Sequence, residues 1–368
     1  SPGASYLTNR RSVSFFPSGS DTYSPTSGVK VIKVKLNGSD WLDPSTVKLM
    51  FTINNADGAN ALTLLSGPHS FFRRLRIVCG GQIVEDIDDY NRVHEMMTVL
   101  TSSAIRVNDA VEGSRAWDGA GGSETIAANG KRRVGMKICS GLLNQNKYLP
   151  IRYCPLEIEL ELVNQVGDAQ QGSTNWNLSD VQLKTDLCTL DNALDNSYAQ
   201  HLLSGKALPI NYSTYISQSQ VTTASTFSIN VSRAVTRLKS IFLTMVGASH
   251  ANHGTNIKEY NNFWHPMSTG AGAYDAGKEL EFQVQIGSKL FPEYPIRACS
   301  ESFSQLIKSL GIHQSPFHSI NVSSNQYRNY KFVVGIDTEK VLEMGYSGLN
   351  SKHGDLLTIK CKPTDAVG

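Results

Sequence analysis

The chain has 368 residues, room for two domains of ordinary size, and its 40% hydrophobic and 18% charged residues exclude both a disordered tail and a membrane-embedded chain. Lys and Arg total 34 against 32 Asp and Glu, a net charge of +2, so packaging of a genome by a basic surface has no support; the densest clusters, Lys131-Arg132-Arg133 and Arg73-Arg74, are expected to be solvated strand ends. No run of 18 apolar residues and no leader-like pattern occurs, so neither a membrane span nor an export signal is expected.

Residues 1–28 are rich in Ser, Pro, Gly and Thr, show no periodicity and carry Arg10-Arg11 and Phe15-Phe16. They are expected to form an arm outside any domain, either frayed or docked through the aromatic pair on a neighbouring subunit. Beyond it the sequence alternates. Ile32, Val34 and Leu36 oppose Lys33 and Lys35, and Val47, Leu49, Phe51 and Ile53 repeat the pattern, as half-buried strands require. Leu156, Ile158, Leu160 and Leu162 alternate with Glu157, Glu159 and Glu161, a row that reads as the wet side of a sheet rather than as catalytic carboxylates.

An internal repeat organises the rest. IVCGGQIVEDI around Ile77 matches VQIGSKLFPEY around Val284, with Gly80 over Gly287 and Ile83 over Leu290 at an offset of 207; both read as strand, glycine turn, strand. A helical pattern follows each copy: Val93, Met96, Met97 and Leu100, then Phe303, Leu306, Ile307 and Leu310 at an offset of 210. Upstream, residues 47–53 correspond to 239–245 and 32–36 to 227–231; near the ends, 156–162 corresponds to 357–361. These matched elements in one order, about 200 residues apart, indicate tandem duplication of one β-sandwich rather than a solenoid of short repeats. The expected organisation is an arm (1–28), a first sandwich (29–190), a linker with a short helix (191–206) and a second sandwich (207–368). Two Gly-rich segments, 102–132 with Trp117 and 248–278 with Phe263, Trp264 and Tyr274, are expected to be large loops packed on themselves.

Catalytic chemistry is not legible. Cys79, Cys139, Cys154, Cys188, Cys299 and Cys361 are scattered without a C-x-x-C pair, so they read as small buried hydrophobes of a chain folding in a reducing compartment. His250, His253 and His265 lack a carboxylate at ligand spacing and read as surface residues. The run Glu85-Asp86-Ile87-Asp88-Asp89 lacks the ligand alternation of a calcium loop; capping of the helix near Tyr90 accounts for Asp88 and Asp89. The glycine pairs lack a phosphate-cradle context and no G-x-S-x-G element occurs. No catalytic residue, metal or cofactor is therefore expected.

The stretches FFRRLRIVCGGQIVEDI (71–87), GLLNQNKYLPIRYCPLEIELEL (141–162), HLLSGKALPINY (201–212), RLKSIFLTM (237–245) and GYSGLNSKHGDLLTIK (345–360) resemble the double jelly-roll major capsid proteins of tailless double-stranded DNA viruses, nearest to the polinton-like and virophage-related group and the large nucleocytoplasmic DNA viruses. The likeness runs from about residue 29 onward and lies in strands and turns. It implies an all-β fold of two eight-stranded jelly rolls, each with a short helix. It also implies a homotrimeric, pseudo-hexameric capsomer in an icosahedral virion shell. Neighbouring capsomers, penton and minor capsid proteins and an internal membrane would be the partners, with no sequence-specific nucleic acid. By the same analogy the loops holding Trp117, Phe263, Trp264 and Tyr274 would form outward towers or trimer contacts, and the arm with Arg10, Arg11, Phe15 and Phe16 would face inward. Jelly rolls also make lectins, and Trp117, Trp264 and Tyr274 could stack on sugars, so a carbohydrate-binding sandwich is the alternative. A sandwich hydrolase would need a carboxylate pair at recognisable spacing, which is not found.

Overall fold

The computed structural model describes residues 6–26, 28–64, 66–101, 125–222, 224, 226–246, 263–266, 278–312, 320, 322–329, 331–340, 348–352 and 356–365. The chain divides into two compact units, Ser1–Glu95 with Val107–Ser217, and Met96–Arg106 with Gln218–Gly368.

In the first unit the strands are β1 (Leu7–Phe15), β2 (Thr22–Tyr23), β3 (Val31–Leu36), β4 (Trp41–Asn55), β5 (Leu62–Leu64), β6 (Phe72–Cys79), β7 (Gln82–Ile87), β8 (Thr125–Ile126), β9 (Lys131–Lys137), β10 (Leu156–Leu162), β11 (Gln170–Gln171) and β12 (Trp176–Leu190). Helix α1 (Tyr90–Val99) follows β7, and α2 (Asn192–Leu203) follows β12. The long strands form two antiparallel sheets ordered β1-β12-β4-β9 and β3-β10-β6-β7, and β5, β8 and β11 make a small third one. Counting only the eight long strands, the orders read 1-8-3-6 and 2-7-4-5, the connectivity of a jelly roll.

Alternation explains the layering. In β10, Leu156, Ile158, Leu160 and Leu162 are buried and the intervening glutamates half-buried. From β4, Val47, Leu49, Phe51 and Ile53 enter the same core, where Phe51 meets Phe72 edge-on at 5.4 Å and Phe71 meets Trp176 at 4.8 Å. Each such side chain, wholly removed from water, contributes about 1.5–3 kcal/mol. Pro44 lies within β4 without breaking the sheet because β4 bulges there. Register moves from Lys48 opposite Lys184 to Asp43 opposite Asp186, and the Asp186 N–H donates instead to the Thr46 hydroxyl at 2.9 Å.

The second unit repeats this plan. Its strands are β13 (Phe227–Val231), β14 (Ser240–Thr244), β15 (Lys278–Ile286), β16 (Lys289–Ile296), β17 (Val333–Asp337) and β18 (Leu357–Asp365), with helices α3 (Cys299–Ser309) and α4 (Ser324–Asn329). The order β13-β18-β15-β16 reproduces β3-β10-β6-β7, and β14-β17 reproduces the β4-β9 pair. Helix α3 lies so close on β17 that a Cβ on Gly335 would come within 3.0 Å of the Leu306 Cα. Among the described residues β14 has one strand partner, β17, and its Ile241, Phe242 and Leu243 are half-buried, whereas Leu49 and Phe51 of β4 are fully buried.

Three expectations need correction. Residues 7–15 are not an arm: they are the first jelly-roll strand, illegible because an edge strand with solvent around it needs no apolar alternation. The break between units falls after Ser217 rather than near Ala207, because Ile210, Tyr212 and Tyr215 pack on the first core and the Tyr212 hydroxyl donates to the Val84 carbonyl at 2.8 Å. The segment 102–132 is not irregular to its end, since β8 and the start of β9 lie in it, with Ile126 buried.

Cys79 and Cys154 form a disulfide with Cα atoms 5.8 Å apart, so the six cysteines are not all separate hydrophobes; Cys188 and Cys361 are free and buried. Intact mass under non-reducing conditions should be two hydrogens below that of the reduced chain. Replacing both residues by Ser should lower unfolding stability by about 2–4 kcal/mol, since the bridge closes a long loop in the unfolded chain.

Two histidines, His94 half-buried and His265 buried, weaken the fold in mild acid. Burial holds His94 well below the usual range, helped by His69, and burial, with Arg328 nearby, holds His265 down to about 4. Unfolded histidine takes up its proton near pH 6.5, so stability is complete above that value and falls as pH drops through it, for His265 until about 4. Urea midpoints should be flat from pH 7 to 8 and fall below about 6.5, and His265→Gln should remove on the order of 3 kcal/mol of that loss. A midpoint constant down to pH 5 would refute the neutral state of both histidines.

Candidate assembly surface

Strand β1 is held along β12 from Leu7 opposite Leu190 to Phe15 opposite Leu183. Arg10 stands 2.8 Å from both Asp43 and Asp186, and Arg11 2.8 Å from Asp40. The hydrogen bond to Asp186 raises the Arg10 guanidinium above its usual range, while Ser12 and then Arg10 hold Asp186 below its own. Phe15 rests against the core and Phe16 is 64% exposed. Of the four residues expected on an assembly arm, Arg10, Arg11 and Phe15 fasten the strand to its own sandwich and Phe16 faces solvent.

Of the loop aromatics, Trp117 and Tyr274 lie outside the described residues, as do His250 and His253. Phe263 is buried, and its carbonyl accepts from Phe332 N–H at 2.8 Å. Trp264 is half-buried and its backbone N–H donates to the Met245 carbonyl at 2.9 Å. Of the three aromatics that could stack on sugars, Trp264 alone is described and it is half-buried, and the carbohydrate-binding alternative gains no support. His265, expected at the surface, is buried against Phe332 with ring centres 4.4 Å apart.

The acidic run separates by face. Glu85 turns inward, accepting from the Ser140 hydroxyl and from the N–H groups of Gly141 at 2.9 Å and Leu142 at 3.2 Å. Asp86 turns outward to Arg74 through two bonds of 2.7 Å, and Asp88 lies 3.3 Å from the same guanidinium, where helix capping had been expected.

One constellation escaped the sequence reading. Ser66, His69 and Glu95 are buried together, the Ser66 hydroxyl donating to Glu95 and the His69 Nε2 lying 2.8 Å from Glu95 and 3.1 Å from Ser66. A nucleophilic relay needs serine and carboxylate on opposite ring nitrogens. Here both meet Nε2 and His94 stacks on the ring at 4.2 Å, so the group is structural packing. Among the described residues no cluster of three His, Cys, Asp or Glu could hold a metal ion, and no helix is long and apolar enough to cross a membrane.

The outer face of β3-β10-β6-β7 carries charge in columns: Lys33 and Lys35, then Glu157, Glu159 and Glu161, then Arg74 and Arg76, then Asp86. Lys33 is 2.6 Å and Arg76 3.1 Å from Glu159; Lys35 is 3.7 Å from Glu157. Burial pushes the Glu159 carboxyl up, but Lys33 and Arg76 outweigh it and hold it below its usual range. Exposed pairs add little stability. Their effect is to neutralise the face strand by strand.

No family model and no curated protein matches the chain. Solved structures do. The chain is similar to VP54 of the virus PBCV-1, fitted into a reconstruction of the virophage Sputnik, with 13% identity, 98% of this chain and 86% of that one covered and a TM-score of 0.64. It is similar to a chain of the Sputnik virophage, with 11% identity, 98% and 83% covered and a TM-score of 0.55. It is also similar to the Faustovirus major capsid protein, with 8% identity, 99% and 91% covered and a TM-score of 0.57. The strand order of both units and these likenesses together show that the chain has the double jelly-roll fold of viral major capsid proteins.

Proposed function

We propose that the protein is a major capsid protein, not an enzyme, whose copies associate as homotrimers and tile an icosahedral virion shell. The observation that carries this reading is the pair of sandwiches with matching strand order in one chain, which lets three copies present six similar blocks around a ring. The neutralised sheet face supports it: with a net charge of +2, copies approach one another without strong repulsion. Other capsomers, penton and minor capsid proteins and an internal membrane are the proposed partners. Phe16 and the loops containing Trp117 and Tyr274 are candidate contacts with them.

Light scattering of the purified chain should give about three times 40.2 kDa, with hexagonal outlines in negative stain; a stable monomer at every concentration would refute the reading. Deleting residues 1–16 removes β1 and uncovers the edge of β12, so it should lower the urea midpoint before it alters assembly. An unchanged midpoint with failed shell assembly would instead give β1 an assembly role alone.

A further inference from the structure

The chain contains two Asn-Gly pairs, Asn37-Gly38 and Asn129-Gly130, both in the first unit. In such a pair the glycine nitrogen can reach the carbonyl carbon of the asparagine side chain, because glycine has no Cβ to hinder the approach. Both asparagines are exposed, so access to water does not distinguish them. The engagement of the two glycine nitrogens does.

Gly130 stands in the turn between β8 and β9. Its N–H donates to the Ala127 carbonyl at 2.9 Å, its own carbonyl accepts from Asn55 N–H at 2.9 Å, and Asn129 N–H donates to the Asp57 carbonyl at 3.0 Å. The nitrogen that would have to attack is therefore committed to the turn, and the backbone around it is pinned on both sides. Asn37-Gly38 follows β3 directly, where the chain leaves one sheet for β4 in the other, and neither residue belongs to a strand. Among the described residues neither the Gly38 N–H nor the Asn37 side chain has a hydrogen-bond partner.

We infer that Asn37 is a site of spontaneous deamidation in the folded protein, through a succinimide formed with Gly38, and that Asn129 is protected. Once base removes its proton, the Gly38 nitrogen attacks Asn37 Cγ; the N–Cγ bond forms, the Cγ–Nδ2 bond breaks, and the amide nitrogen leaves as ammonia with that proton. Water then adds to either carbonyl carbon of the ring and a ring C–N bond opens, leaving aspartate or isoaspartate, whose carboxyl gives its proton to solvent. No oxidant or reductant takes part. The product lowers the net charge of +2 by one. Isoaspartate also lengthens the main chain three residues before Asp40, whose carboxylate holds Arg11 of β1 at 2.8 Å.

The test is incubation of the full chain in mildly alkaline buffer, with peptide mapping by mass spectrometry and enzymatic methyl labelling of isoaspartate. The peptide holding Asn37 should gain the mass of NH replaced by O and should label, roughly tenfold or more faster than the peptide holding Asn129, whose glycine nitrogen is bonded. The rate should rise with pH. Gly38→Ala should slow conversion roughly tenfold or more by hindering the attack. A Cβ at Gly38 would meet its nearest neighbour, Ile151 Cδ1, at 3.5 Å, an ordinary contact, so the variant should fold. Should it not fold, Asn37→Gln, which closes the ring far less readily, should remove the acidic species from native isoelectric focusing. Conversion of Asn129 as fast as Asn37 overturns the inference. So does an intact Asn37 in the folded chain under conditions where a free peptide of residues 35–41 converts, since the fold would then be protecting it.

Discussion

The first sandwich depends on the insertion of β12 between β1 and β4. β12 bonds to both neighbours along most of its length, and through Trp176, Leu178, Leu183 and Leu187 it supplies the wall against which the opposite sheet packs. The last strand of the unit, placed centrally in the sheet, ties residues 7–15 to residues 183–190, so the unit is held by contacts between distant parts of the chain. Such a topology closes the sandwich against water but forms late, since the loop entropy is spent before the contacts repay it. In the second unit β14 has β17 alone among the described residues, and its apolar side chains stay half-buried.

Buried polar groups serve this framework. Glu85 gathers the Ser140–Leu142 turn onto β7, and Asp57 accepts from the N–H groups of Ala59, Asn60 and Thr174, which hold its carboxyl far below the usual range. Ser302 and Tyr327 bond to each other at 2.9 Å in the second core, and the Tyr327 hydroxyl lies 2.9 Å from the Val333 carbonyl. Each of these groups is satisfied by neighbours in its own unit, as buried polar groups require.

The surface combines two properties with opposite effects on association. Columns of paired charge keep the broad sheet face of the first unit neutral and hydrated, while exposed aliphatics stand at the hairpin tips.

The sequence alone determined the duplication, the two glycine hairpins, the helix after each and the strands at 31–36 and 156–162: in these two strands one face is buried along the length and the period is unbroken, while the hairpins are marked by their turn glycines and the helices by their apolar spacing. β12 was hidden because its bulge near Asp180, which has φ of 49°, shifts the phase of its apolar residues. β9, with Lys131-Arg132-Arg133 at its start, shows no alternation at all. β1 was hidden for the opposite reason, being solvated on most positions and identified only by its partner. The surface was the least legible part. That Arg10 meets Asp43 and Asp186, that Ser66, His69 and Glu95 converge, and that Ile83 stays in water while Ile87 is buried are decided by tertiary structure. Local pattern specifies which side of a strand is apolar; only the packing of the other sheet determines how far along the strand that side is covered.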